Sequence, residues 1–184
     1  MKKINNRKIS KFLALILRHD PGRIGLELDP QGWANVDELL EKINRSRKWQ
    51  LTRDDLENVV AEDNKQRYRL NSDKTQIRAS QGHSIQIDLG LEPVEPPAVL
   101  YHGTAKRFLN SIMDEGLVSK SRQHVHLSAD VKTATTVGKR HGRPAILLIN
   151  TQQMAADGHQ FYLSDNKVWL TDHVPVKYIT LLAD

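Results

Sequence analysis

The 184-residue chain carries 39% hydrophobic and 27% charged side chains, enough for one large or two small folded domains and too apolar for a disordered chain. It has no cysteine, which excludes disulfides, thiolate metal sites and a cysteine nucleophile. Lys+Arg outnumber Asp+Glu by 27 to 22, and the resulting net charge of +5 favours a polyanionic partner without requiring one.

Met1-Lys2-Lys3 ahead of the six-residue apolar run Phe12 to Leu17 falls short of a secretory signal, because Arg18-His19-Asp20 closes the run without a small-residue cleavage site. No stretch approaches the length of a membrane span, so a cytoplasmic protein without a membrane partner is expected. Ile9, Phe12, Leu13, Ile16 and Leu17 recur at helical spacing and predict a helix over 6–17, stopped by Asp20-Pro21-Gly22. Arg18 and His19 then sit at its C-terminal end, where cations complement the helix dipole and remain available for other work.

Alternation predicts a short strand at 24–28, and Asp29-Pro30-Gln31-Gly32 reads as a turn. Asn35 with Glu38 opens a helix to about residue 44, and Thr52 with Asp55 opens another. Strands at 67–70 and 77–79 flank a turn at 71–74. Helix, strand, helix, helix, hairpin is the element order of a winged helix. Its third helix sets Arg53 against Asp54, Asp55, Glu57, Glu62 and Asp63, an acidic surface that opposes entry into a DNA groove. The basic residues lie elsewhere, at Arg18, Arg45, Arg47, Lys48, Arg67, Arg69 and Arg78. Residues 85–89 alternate and lead into a Pro/Glu segment at 93–97, the expected linker between domains at 1–92 and 98–184.

Beyond the linker, strands and helices mix, which predicts an α+β fold. Val99-Leu100-Tyr101 reads as a strand ending at His102-Gly103-Thr104, with Thr104 capping a helix to Glu115. A strand end, a glycine and a hydroxyl at a helix start could together cradle a phosphate or ribose. In Ser121 to Ser128, period-2 alternation would set Arg122, His124 and His126 along roughly 13 Å of one face, with Ser128 capping the helix that follows. Such a row suits an anion. It also suits a merely solvated basic face. His124 and His126 as metal ligands lack a third partner at a familiar spacing, and Arg122 beside them disfavours a cation, so no metal is expected. No G-x-G-x-x-G, P-loop, H-E-x-x-H or G-x-S-x-G motif occurs, and the eight acids of residues 93–184 support no carboxylate pair.

Several strings stand in order across both halves: Ser10-Lys11-Phe12-Leu13 with Leu17-Arg18-His19, Asp29-Pro30-Gln31-Gly32-Trp33, and Lys65-Gln66-Arg67-Tyr68. They continue with Ile77-Arg78-Ala79-Ser80-Gln81-Gly82-His83-Ser84, Leu100-Tyr101-His102-Gly103-Thr104 and Arg122-Gln123-His124-Val125-His126-Leu127-Ser128. Val137-Gly138-Lys139-Arg140-His141-Gly142 and Asn166-Lys167-Val168-Trp169-Leu170 complete the set. Together they resemble the KptA-type NAD-dependent RNA 2′-phosphotransferases, with Tyr68 where that family usually has Phe.

The resemblance implies an N-terminal winged helix that holds RNA and a C-terminal ADP-ribosyltransferase-like domain that holds NAD+. It implies that NAD+ is consumed, that an RNA-2′-phospho-ADP-ribose forms, and that 2′-OH RNA, nicotinamide and ADP-ribose 1″,2″-cyclic phosphate are released. The family's catalytic quartet falls on Arg18, His19, Arg67 and Arg122, with the arginines on phosphate oxygens and His19 as acid or acid/base. Its NAD+ pocket falls on His102, Gly103, Thr104, His126, Ser128 and Val168, the last standing where many ADP-ribosyltransferases carry Glu. The resemblance leaves His124 structural and inclines toward a monomer. Two alternatives remain: an ADP-ribosyltransferase that caps terminal phosphates of RNA or DNA, and a non-enzymatic winged-helix regulator, which the acidic third helix opposes.

Overall fold

A computed structural model describes residues 5–46 and 49–182, and its internal packing divides the chain into two compact units, Met1–Gly90 and Leu91–Asp184. Arg47 and Lys48, noted above for their charge, lie outside the described residues, as does Met1-Lys2-Lys3.

In the first unit, α1 (Asn6–Arg18) starts where the Asn5 side chain accepts from the Lys8 N–H, and it buries Ile9, Leu13, Ile16 and Leu17. Each of these side chains contributes roughly 1.5–3 kcal/mol through its removal from water. They pack with Val36, Leu39 and Ile43 of α2 (Val36–Arg45) and with Leu56 and Val59 of α3 (Arg53–Ala61). Both latter helices begin at the expected caps, Asn35 accepting from the Glu38 N–H and Thr52 forming a reciprocal capping box with Asp55. Strands β1 (Ala34–Asn35), β2 (Tyr68–Leu70) and β3 (Gln76–Ala79) form an antiparallel sheet in the order β1-β3-β2.

The strand expected at 24–28 does not form. Asp20 caps a 3-10 turn, Pro21–Ile24, which Gly25 ends at φ +65°, in the left-handed region. Leu26 still turns inward, and Ile24 and Leu28 pack against the core, so the alternation reports burial without a ladder. Residues 85–89 behave alike: Ile87 is buried in a segment with no strand.

In the second unit, β4 (Val99–Ala105) pairs with β7 (Pro144–Asn150) over its whole length, and β11 (Ile179–Leu181) takes the other edge of β7. A second antiparallel sheet has the order β6-β9-β8, from Val125–Leu127, Trp169–Thr171 and Tyr162–Leu163. A small pair joins β5 (Leu117–Val118) to β10 (His173–Val174). Helices α4 (Leu109–Glu115), α5 (Val131–Gly138) and α6 (Thr151–Ala156) complete this mixed unit. Its core holds Leu100, Leu127, Leu147, Ile149, Met154 and Phe161.

Two expected helix caps are corrected here. Thr104 lies within β4, opposite Ala145, and a 3-10 turn (Lys106–Phe108) separates that strand from α4. Ser128 bridges Tyr101, and the cap of α5 is Asp130, whose carboxylate accepts from both the N–H and the hydroxyl of Thr133. Cross-strand pairing at both sites claims backbone that a helix start would need.

Candidate active site

Arg18, His19 and Arg67 lie near the end of α1. His19 is the C-cap of α1, its N–H bonded to the Leu15 carbonyl at 3.0 Å, and Asp20-Pro21 turns the chain away. The Arg18 guanidinium donates to the Arg67 carbonyl at 3.5 Å. Arg67 leads into β2 from an unusual backbone: Gln66 holds φ +45°, and the Asp63 carboxylate accepts from the Arg67 N–H at 2.7 Å as well as from its guanidinium. Structure therefore brings Arg18, His19 and Arg67 together.

The segment Ser80–Ser84 is the part that sequence reasoning missed. The Ser80 N–H donates to the Arg67 carbonyl at 2.8 Å, and its hydroxyl donates to Gln66 O at the same distance. At the other end, the Ser84 N–H donates to the Arg18 carbonyl at 2.9 Å, and its hydroxyl lies 2.9 Å from His19 Nδ1. Gly82, at φ +86°, supplies the bend between them. The string was visible only as a resemblance, because five mixed polar residues carry no periodicity that foretells two anchors.

Inside this bend His83 is only 1% exposed, and both ring nitrogens are buried without a hydrogen-bond partner among the described residues. Burial pushes its pKa down to about 4, and the charges of Arg18, His19 and Arg78 act in the same direction. Arg78, 7% exposed, stacks its guanidinium 4.7 Å from the Trp33 ring centroid.

In the second unit, the Tyr101–Ser128 bridge sets β4 beside the end of β6. His102 Nδ1 then lies 3.0 Å from the His126 carbonyl, and Arg122 Nη1 lies 2.8 Å from His126 Nδ1. These contacts define the tautomers. A carbonyl only accepts, so His102 carries its proton on Nδ1, and burial, its largest influence, keeps its pKa low. A guanidinium only donates, so His126 Nδ1 is bare and the neutral ring carries its proton on Nε2. One histidine thus offers an acceptor at Nε2 and the other a donor. Burial first and Arg140 second lower the Arg122 pKa from the usual arginine value.

The expected row of three basic side chains along one strand is broken. Strand β6 covers only Val125–Leu127, and Arg122 reaches His126 from a bend. His124 turns to Asp172, 3.7 Å away, and sets its ring edge-on to Tyr162.

Gly103 does admit a close approach, and the neighbour is α5. A Cβ at Gly103 would lie 1.7 Å from the Ala134 carbonyl oxygen. Thr104 is 6% exposed beneath the same helix. Ser128 contributes backbone to the bridge, and Val168, half-buried one residue before β9, exchanges hydrogen bonds with Ser164.

Comparison with known proteins matches residues 4–173 to the family described as RNA 2′-phosphotransferase, Tpt1 / KptA family. A probable RNA 2′-phosphotransferase of Agrobacterium fabrum is 56% identical over 175 residues, covering 95% of this chain and 94% of the relative. One from Fusobacterium nucleatum is 54% identical over 176 residues, covering 95% and 98%. Another, from Trichormus variabilis, is 48% identical over 182 residues, covering 99% and 100%. With so much of the chain matched, and at such identity, it belongs to the Tpt1/KptA family of RNA 2′-phosphotransferases.

Proposed function

We propose that the chain removes an internal RNA 2′-phosphate by transferring it to NAD+, which is consumed. The observation that carries this reading is the distribution of charged and titratable groups. Arg18, His19 and Arg67 gather at one end of α1, and Arg122 stands against the paired histidines His102 and His126. The first group suits a phosphate dianion through charge-assisted hydrogen bonds. The second suits a ribose, because His102 Nε2 can accept from a hydroxyl while His126 Nε2–H donates.

In the proposed first step a 2′-phosphate oxygen bonds to C1″ of the nicotinamide ribose. The C1″–N bond breaks, and its electron pair neutralises the departing pyridinium. The RNA phosphate is the nucleophile, so no protein nucleophile is needed. In the second step ribose O2″ bonds to phosphorus and the bond from phosphorus to RNA O2′ breaks. His19 gives a proton to O2′ and recovers one from the proton lost by O2″. Arg18, Arg67 and Arg122 stabilise charge on the phosphoryl oxygens through both steps. The products are 2′-OH RNA, nicotinamide and ADP-ribose 1″,2″-cyclic phosphate.

We assign RNA to the first unit, as a winged helix, and NAD+ to the second, as an ADP-ribosyltransferase-like domain that works as a monomer. The first assignment is supported by the order α1, β1, α2, α3, β2, β3 and the sheet order β1-β3-β2. A 2′-phosphate left at a tRNA splice junction is a substrate of the required kind.

The test is incubation with a 2′-phosphorylated oligonucleotide with and without NAD+. Phosphate loss coupled to the cyclic phosphate is expected only with NAD+. Equal loss without NAD+ overturns the reading, and a stable ADP-ribosylated product without cyclic phosphate replaces it with a capping activity.

A further inference from the structure

We infer that Ser84 is a positioning residue for His19, an inference that rests on the proposed role of His19 in the second step. The Ser84 hydroxyl lies 2.9 Å from His19 Nδ1, and the Ser84 N–H is bonded at 2.9 Å to the carbonyl of Arg18, the residue before it. One residue therefore grips both the main chain and the ring at the end of α1. The imidazole can still rotate about its side-chain bonds, and the hydroxyl contact at Nδ1 favours one rotamer.

The chemistry of the partner matters as much as its position. A serine hydroxyl both donates and accepts. With Nδ1 protonated, it accepts the same Nδ1–H bond both in the neutral ring, which is then bare at Nε2, and in the imidazolium. His19 can thus gain or lose a proton at Nε2 without forfeiting its anchor, as a residue that shuttles a proton between O2″ and O2′ requires.

The backbone makes Ser84 a stable anchor. Ser80 is tied to Arg67 and Gln66 at the start of the segment, Gly82 bends it, and buried His83 fixes its middle. The hydroxyl is held in register with α1 by main-chain bonds that a side-chain substitution leaves intact.

Ser84→Ala, Ser84→Thr, His19→Ala and the double variant His19→Ala/Ser84→Ala decide the matter, with nicotinamide release and decay of the RNA-2′-phospho-ADP-ribose followed separately by rapid quench. Ser84→Ala should fold as the parent does, slow the decay about tenfold, the scale of one lost hydrogen bond to a group that becomes charged, and spare nicotinamide release. Its pH profile for decay should shift, Ser84→Thr should restore both, and the double variant should be no slower than His19→Ala. Decay at the parental rate in Ser84→Ala, beside slow decay in His19→Ala, overturns the inference and leaves the His19 role standing. Parental decay in His19→Ala overturns the role and the inference together. Slow decay in Ser84→Ala with additive effects, or without rescue by threonine, assigns Ser84 to general structure and overturns the inference.

Discussion

His83 offers the most direct check on the first unit. Its ring is 1% exposed, lacks a partner on either nitrogen among the described residues, and has its pKa pushed down to about 4 by burial, with Arg18, His19 and Arg78 adding to the effect. The unfolded chain holds that ring near the ordinary pKa of about 6.5. As pH falls the unfolded state takes up the proton first, so this contribution to stability is whole above about 6.5 and is lost progressively down to about 4. The full loss is about 3 kcal/mol, of which about 2 kcal/mol falls between pH 7 and pH 5. Urea unfolding of the parent and His83→Gln at pH 7 and pH 5 isolates this term, because every other titrating group is common to both. The parent should lose about 2 kcal/mol more than the variant. An NMR titration should place the His83 ring near the same low pKa. Equal pH dependence in the two proteins, or a ring that titrates above pH 6, refutes the reasoning.

Three further outcomes are expected. Gly103→Ala should destabilise the chain by about 3 kcal/mol in chemical denaturation, because its Cβ would lie 1.7 Å from the backbone oxygen of Ala134 and α5 must move. Asp63→Ala should cost about 2 kcal/mol, since its carboxylate is 5% exposed and bound to Arg67, and it should raise the KM for RNA more than it lowers kcat. Arg122→Gln should abolish turnover with the fold retained. In calorimetry without RNA it should also weaken NAD+ about tenfold, because the donor that fixes the His126 tautomer is weakened.

What the sequence disclosed was local chemistry. Asn35 with Glu38 and Thr52 with Asp55 are complete within four residues, and both caps stand as read. Strands depend on partners far along the chain. The alternation at 24–28 finds none, whereas the two residues Ala34 and Asn35 become β1 because Ile77 and Gln76 lie opposite. Thr104 and Ser128 carry the hydroxyl of a helix cap, but β-pairing takes their backbone. In the site, Arg18 and His19 could be seen as cations at a helix end. That Ser80–Ser84 would be tied to both Arg18 and Arg67 is a tertiary fact with no periodic signature.

Partner chemistry also supports the proposal that proton transfer falls to His19. Arginine holds its proton at any working pH, so Arg18, Arg67 and Arg122 can stabilise charge but not shuttle protons. Of the proposed quartet only the histidine remains, and the rings of His83, His102 and His126 are each constrained in a different way. His83 is buried and stays neutral until the pH nears 4. His102 must keep its Nδ1 proton to hold the His126 carbonyl, and burial opposes a second proton on Nε2. A proton on His126 Nδ1 would displace the Arg122 guanidinium and set two cations 2.8 Å apart. His19, exposed at the end of α1, has a hydroxyl partner that bonds to either protonation state. Among these four rings it alone is exposed and keeps its named hydrogen bond at Nδ1 when charged, the property that suits the acid proposed for the second step.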